Sequence, residues 1–190
     1  MAIIWLATFS TTTVILFPAV LLSAGLVLEF YFERFKKAET DRTDFRKLPF
    51  SQIGLYASFA LAVMLVTGYG VQYVSLPSLS AFPDTSTLLY TTSIAVAEEQ
   101  FFRGFVTDSL VSYHTTYAIL NNVYAKLILS GAIFMAYHYA RYGSSGNDML
   151  YVLVGGTMLS WIAYKTQRLS PSMLAHVFNN ILALVGGIIK

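Results

Sequence analysis

The sequence predicts an all-α membrane protein, a bundle of about six transmembrane helices, and three observations support this. Hydrophobic residues make up 56% of the 190 residues and charged residues only 12%, whereas a soluble domain carries about a quarter charged residues. The apolar residues form long runs of about 20, the length that crosses the hydrocarbon core. Such runs favour helices, because a membrane barrel shows short alternating segments and backbone polar groups in lipid must be satisfied within the segment.

Six spans follow in order along the chain. We place them at residues 3–28, 53–76, 88–110, 126–142, 149–164 and 172–189. We interpret residues 1–87 as two N-terminal transmembrane helices and residues 88–190 as a four-helix core. The pair Gly155-Gly156 in the fifth span predicts close helix packing, as small residues allow in bilayers.

The basic residues orient the predicted bundle. Residues 33–47 hold six of the twelve Lys and Arg residues, so this loop is expected on the cytoplasmic side. Alternation then places residues 77–87, which contain no Lys or Arg, and both termini outside. A basic loop also attracts anionic lipid, so membrane lipid is an expected partner.

Composition excludes several classes of function. A net charge of +2 and the lack of a basic patch alternating with aromatics argue against a nucleic-acid partner. With no cysteine, disulfides, thiolate catalysis and zinc–cysteine sites are excluded. The sequence contains no phosphate-binding loop, dinucleotide fingerprint or haem attachment motif.

Ionisable residues inside the predicted spans indicate the functional site. The third span holds Glu98, Glu99 and Arg103, the fourth holds His138, and the sixth holds His176. Such a group at the bilayer centre costs at least about 2.5–3.5 kcal/mol, and it usually faces a cavity or another such group. We therefore expect the three helices to bring these residues together.

Helical spacing suggests how these residues divide their roles. Glu99 and Arg103 are four apart and can form an intrahelical pair, whereas Glu98 points about 100° away, toward neighbouring helices. His176 and Asn180 share a face and suit a developing oxyanion. Two His and a Glu could alternatively bind a divalent metal or activate water, or the polar groups could only hold the bundle together.

Depth adds a geometric requirement. Glu98 lies about ten residues inside its predicted span, roughly 15 Å, whereas His176 lies only about four residues inside the sixth. The two can meet if the sixth helix begins below the membrane surface.

Three motifs resemble those of one family. Residues 97–104, AEEQFFRG, are similar to the EExxxR motif of the CPBP membrane proteins (CAAX-protease and bacteriocin-processing, or Abi). Residues 134–138, FMAYH, resemble the family's FxxxH motif, and residues 176–180, HVFNN, resemble its HxxxN motif. The motifs occur in order on successive apolar segments.

The resemblance implies an intramembrane endopeptidase. Its substrate would be a peptide or lipidated protein, cut next to a prenylated C-terminal cysteine or in a processed peptide. Glu98 and His138 would activate water, and His176 and Asn180 would stabilise the oxyanion.

The resemblance gives Glu99 and Arg103 a structural or orienting role. No cofactor is certain. The lack of HExxH favours metal-free catalysis, and if the enzyme is metal-dependent the ligands would be Glu98, His138 and His176.

Three other functions compete with this hypothesis. The chain could be a catalytically silent scaffold or accessory subunit that binds a membrane-protein partner. Residues 143–146, GSSG, match the GxSG of rhomboid serine proteases, with Ser145 as nucleophile and His176 as base. Intramembrane Glu and His could also serve an ion or proton transporter, although we find no inverted repeat.

Overall fold

The computed structural model describes residues 19–20, 22–28, 49–70, 84–142 and 146–185, and every secondary-structure element there is helical. The predicted all-α fold class is confirmed. A helical stretch lies at residues 22–28. The helices after it are α1 (Phe50–Gly70), α2 (Thr85–Glu99), the π segment (Gln100–Thr107), α3 (Asp108–Ser112), α4 (Ala118–Asn121), α5 (Val123–Tyr142), α6 (Gly146–Thr166) and α7 (Ser170–Val185).

The helices coincide with the second to sixth predicted spans, and their ends differ by a few residues. Most of the first span, the basic loop at 33–47 and the last five residues lie outside the described residues. Within those residues, α1 is the one helix both long and apolar enough to cross a membrane, over Ser51–Gly70. Helix α7 is also apolar but shorter.

Lys126 lies inside α5 and not at its start. We placed the fourth span from about Lys126, and α5 begins three residues earlier, at Val123, where the Asn122 side chain accepts a hydrogen bond from Tyr124 N at 2.9 Å. Lys126 is buried, and its ammonium donates to the carbonyls of Val111 and Tyr113. The charge therefore binds the end of α3, inside the protein.

Asp84 begins α2 as its N-cap. Its Oδ1 accepts from Thr87 N at 2.9 Å, and its Oδ2 accepts from Thr87 Oγ1 at 2.7 Å. Hydrogen bonds from Ser86 and Thr87 hold the pKa of this carboxyl well below its usual range. These bonds satisfy donors that the first helical turn cannot pair internally.

The π segment continues α2 directly after the two adjacent glutamates. A π-helix pairs residues five apart and occurs mostly where an α-helix must absorb an extra residue. The helical stretch at 22–28 packs against it, because a Cβ on Gly25 would lie 3.2 Å from the Cα of Phe101. Helical spacing alone did not predict this segment.

The hydrophobic core lies where α1, α5, α6 and α7 meet the π segment. Its buried members include Ala60 and Met64 of α1, Phe102, Phe134 of α5, and Leu159 of α6. Helix α1 thus packs against the predicted four-helix core, and the division at residue 87 stays a prediction.

Glycines let α5 and α6 approach closely. A Cβ on Gly156 would lie 2.8 Å from Phe134 Cδ1, and one on Gly131 would lie 2.2 Å from Thr157 Oγ1 and 2.8 Å from Thr157 N. The close packing predicted at Gly155-Gly156 is confirmed at Gly156, since Gly155 makes only ordinary contacts.

Gly131→Ala should therefore destabilise the protein. The added methyl meets the Thr157 backbone, which must shift, and overpacking costs about 1–3 kcal/mol. The readout is the melting temperature in detergent. Gly54→Ala is the matched control, because a Cβ there meets nothing within 4 Å and should stabilise α1 by up to about 1 kcal/mol. Equal melting temperatures for the two variants would contradict the prediction.

Candidate active site

The five ionisable residues predicted from the apolar spans lie together in the protein interior. Glu98, Glu99, Arg103, His138 and His176 are all at most 8% exposed. They come from the junction of α2 with the π segment, from α5 and from α7. Burial on this scale requires that each charge have a partner.

Glu98 faces both imidazoles. Its Oε2 lies 3.6 Å from His176 Nε2 and 4.0 Å from His138 Nε2. Three buried side chains from three helices thus converge at one carboxylate oxygen.

Glu99 forms the shortest ion-pair contacts of the site. Its Oε1 lies 3.0 Å from Arg103 Nη1 and 2.8 Å from His176 Nδ1. The pair predicted from the four-residue spacing is present, but spacing alone did not indicate that Glu99 also reaches α7. Because an ionised carboxylate only accepts hydrogen bonds, His176 Nδ1 carries a proton and Nε2 is the ring atom that faces Glu98.

Arg103 connects its pair with Glu99 to α6 and α5. Its Nη2 donates to the Gly156 carbonyl of α6 at 3.1 Å. Its guanidinium lies over the Phe134 ring of α5, 4.2 Å from the centroid, a distance at which a cation and an aromatic face attract.

Phe134 also orients the second histidine. Its carbonyl lies 3.0 Å from His138 Nδ1, one turn later on α5. A carbonyl can only accept, so Nδ1 is the donor. The other ring nitrogen, Nε2, is therefore the atom that faces Glu98.

Asn179 and Tyr151 are polar residues of this region that the sequence interpretation missed. Both are buried, and Tyr151 Oη donates to Asn179 Oδ1 at 2.6 Å. Asn180, the asparagine matched to the motif, is half-buried. The two asparagines are adjacent in sequence, so helical spacing alone could not show that Asn179 is the more buried.

Two alternative sites can be compared with this geometry. Among the described residues, no group of three or more His, Asp and Glu side chains is arranged to hold a metal ion. Ser145, the nucleophile of the rhomboid hypothesis, lies outside the described residues.

A comparison with models of protein families identifies the family of this chain. The model of the type II CAAX prenyl endopeptidase Rce1-like family matches residues 82–182, just over half of the chain. The chain belongs to this Rce1-like family. The match contains all six predicted site residues and confirms the resemblance found in the motifs. Searches of curated proteins and of solved structures gave no significant match.

Membership of the Rce1-like family establishes the general activity and setting. The family is membrane-integral and consists of endopeptidases of the CAAX type. Its substrates are peptides or prenylated proteins. The apolar helices and the buried polar site described above agree with this setting.

Glu99→Gln should lower the melting temperature in detergent, because it leaves Arg103 buried without an anionic partner. Removing one partner of a buried pair costs about 3–5 kcal/mol. Glu98→Gln is the comparison variant, since it leaves the Glu99–Arg103 pair intact and should cost less. The double variant Glu99→Gln/Arg103→Gln should lose less than the sum of the single variants. Unchanged stability in Glu99→Gln would contradict the pairing argument.

Proposed function

We propose that this protein hydrolyses a peptide bond within the membrane, using a water activated by Glu98 and His138. The supporting observation is the convergence of Glu98 Oε2 with the Nε2 atoms of His138 and His176. The substrate is a prenylated protein, cut next to its lipidated cysteine, or a peptide that is processed in the membrane.

The orientation of His138 supports the water-activating step. Its Nδ1 proton is donated to the Phe134 carbonyl, so the Nε2 of the neutral ring is an acceptor. Glu98 is also an acceptor, and 4.0 Å between the two atoms suits a water that donates one hydrogen to each at about 2.8 Å. The lone pairs of that water then remain for attack on a carbonyl carbon.

We assign to His176 and a neighbouring asparagine the stabilisation of the oxyanion in the tetrahedral intermediate. While Nδ1 donates to Glu99, Nε2 can donate to an oxyanion only if the ring carries both protons. The Glu99 carboxylate at 2.8 Å pairs with that imidazolium. A donor aimed at the developing charge contributes more than one that binds only the ground state, and Asn180 supplies the second donor.

Glu98 or His138 can carry out both proton transfers of the reaction. Water attacks the carbonyl carbon and gives one proton to Glu98 or His138, forming the tetrahedral intermediate. The C–N bond then breaks and the leaving amine takes a proton from that acid, which restores the starting side chain. The immediate products are a carboxylic acid and an amine, and transfer of the acid's proton to the amine gives a carboxylate and an ammonium group, so that no cofactor enters these steps.

Glu98→Gln should abolish cleavage while the protein stays folded, because glutamine keeps the shape but removes the base. His138→Ala should do nearly the same. The measurement is mass spectrometry of products from prenylated and unprenylated peptide libraries, incubated with membranes that contain the wild type or a variant.

A product that appears with the wild type alone would support the mechanism and identify the bond that is cut. Full activity in Glu98→Gln would refute the mechanism. Cleavage by neither protein, with both folded, would favour the scaffold hypothesis. A parallel reaction in chelator tests the metal alternative, in which activity would fall.

Asn180→Ala should retain measurable activity, since losing one oxyanion donor typically costs about 10²–10³-fold in kcat. Asn179→Ala is the matched variant on the same helix, and it removes the partner of Tyr151. If Asn180 is the donor, kcat falls further in Asn180→Ala than in Asn179→Ala. The reverse order would assign the role to Asn179, the more buried amide.

A further inference from the structure

A cluster of three hydroxyls lies inside the bundle, outside the proposed reaction. Thr107 ends the π segment, Ser130 lies on α5 and Ser160 lies on α6, and all three are at most 3% exposed. The Oγ1 of Thr107 is 2.7 Å from Ser130 Oγ and 3.2 Å from Ser160 Oγ, and the two serine oxygens are 3.0 Å apart. We call this set the hydroxyl cluster.

The hydroxyl cluster shares three protons among five close contacts. Thr107 can donate to the Phe102 carbonyl at 2.9 Å or to Ser160 Oγ at 3.2 Å, and Ser160 donates to the Gly156 carbonyl at 2.9 Å. Ser130 can donate to either of the other two hydroxyl oxygens. Each hydroxyl has one proton to donate and also accepts, and such a connected buried network restricts the motion of its members.

Thr107 binds the backbone in a way that matches the π register. In the α-helical parts, hydroxyls bond the carbonyl four residues earlier, as Thr67 does with Val63 and Thr166 with Ile162. Thr107 bonds the carbonyl five residues earlier, the spacing of a π turn. The hydrogen bond of the Thr107 side chain therefore has the same five-residue spacing as the backbone of the π segment.

The hydroxyl cluster is also connected to the charged pair. The Gly156 carbonyl accepts from Ser160 and, at 3.1 Å, from Arg103 Nη2. If the π segment returned to α-helical register, residues after it would turn about 100° relative to those before it. Arg103 could still pair with Glu99 four residues earlier, but its contact with the Gly156 carbonyl and the contacts of Thr107 with Ser130 and Ser160 would be displaced.

We propose that the hydroxyl cluster positions the active site by holding the π segment in its register, with Thr107 as the main positioning residue. The inference rests on the proposed function for its effect on catalysis. It also predicts a change in the two buried imidazoles that is measurable without any substrate.

Thr107→Val tests the proposal, because valine keeps the shape and removes the hydroxyl. With a peptide that the wild type cleaves, kcat should fall about 10–100-fold, as expected for a small misplacement of catalytic groups, while KM changes less than about twofold. Thr107→Ser should restore kcat. Thr67→Val is the matched control, since its hydroxyl bonds the Val63 carbonyl within α1, outside the cluster.

The second readout is ¹⁵N NMR of histidine-labelled protein in detergent. The chain has three histidines, and exposed His114 is an internal reference. The His138 and His176 signals should shift in Thr107→Val, return in Thr107→Ser and stay unchanged in Thr67→Val. This result would support the proposal even if no peptide were cleaved, in which case only the proposed function would fail.

Wild-type signals for both buried imidazoles in Thr107→Val would overturn the proposal, as would equal shifts in Thr67→Val. Ser130→Ala removes another hydroxyl of the cluster without adding a group. If Thr107→Val does not fold, the same two outcomes are read from Ser130→Ala.

Discussion

The buried pair of Glu99 and Arg103 is the interaction on which the arrangement of the helices depends. Both side chains are fully buried, and removing two charges from water costs several kcal/mol per ion. That cost is acceptable only if both ions find further partners, and these partners lie on other helices. Glu99 reaches His176 of α7, while Arg103 reaches the Gly156 carbonyl of α6 and the Phe134 ring of α5. The pair therefore specifies which faces of α5, α6 and α7 turn inward.

The same contacts determine which atoms are available for chemistry. Glu99 holds His176 by Nδ1, and the Phe134 carbonyl holds His138 by Nδ1, so both rings present Nε2 to Glu98. Phe134 acts twice, because its ring lies under Arg103 and its carbonyl orients the histidine. The two adjacent glutamates thus differ by environment: Glu99 is held in a charged pair, while Glu98 faces the two imidazoles.

The helices and most residues of the candidate site could be predicted from the sequence, because they follow from local hydrophobicity and spacing. Long apolar runs predict helices, charges inside them indicate the site, and four-residue spacing predicts the Glu99–Arg103 pair. The π segment could not be predicted in this way, since its register involves Thr107 contacts with residues 23 and 53 positions away. The sequence could equally not show that Asn179 is more buried than Asn180, because this depends on where Tyr151 of α6 lies. The sequence could also not show that α5 begins before Lys126, because the ammonium of Lys126 is paired with carbonyls at the end of α3.

The contact between His176 and Glu98 depends on the short turn between α6 and α7. His176 is six residues after the start of α7 at Ser170, yet it meets Glu98, thirteen residues after the start of α2 at Thr85. The turn itself is partly exposed, at Gln167 and Ser170, whereas Thr166 and Ser172 on either side of it are buried. The hydroxyls of these two flanking residues are paired with backbone carbonyls. Thr166 donates to the Ile162 carbonyl, and Ser172 donates to the Leu169 carbonyl. A short turn with paired hydroxyls on both sides thus brings an early residue of α7 level with a residue near the end of α2.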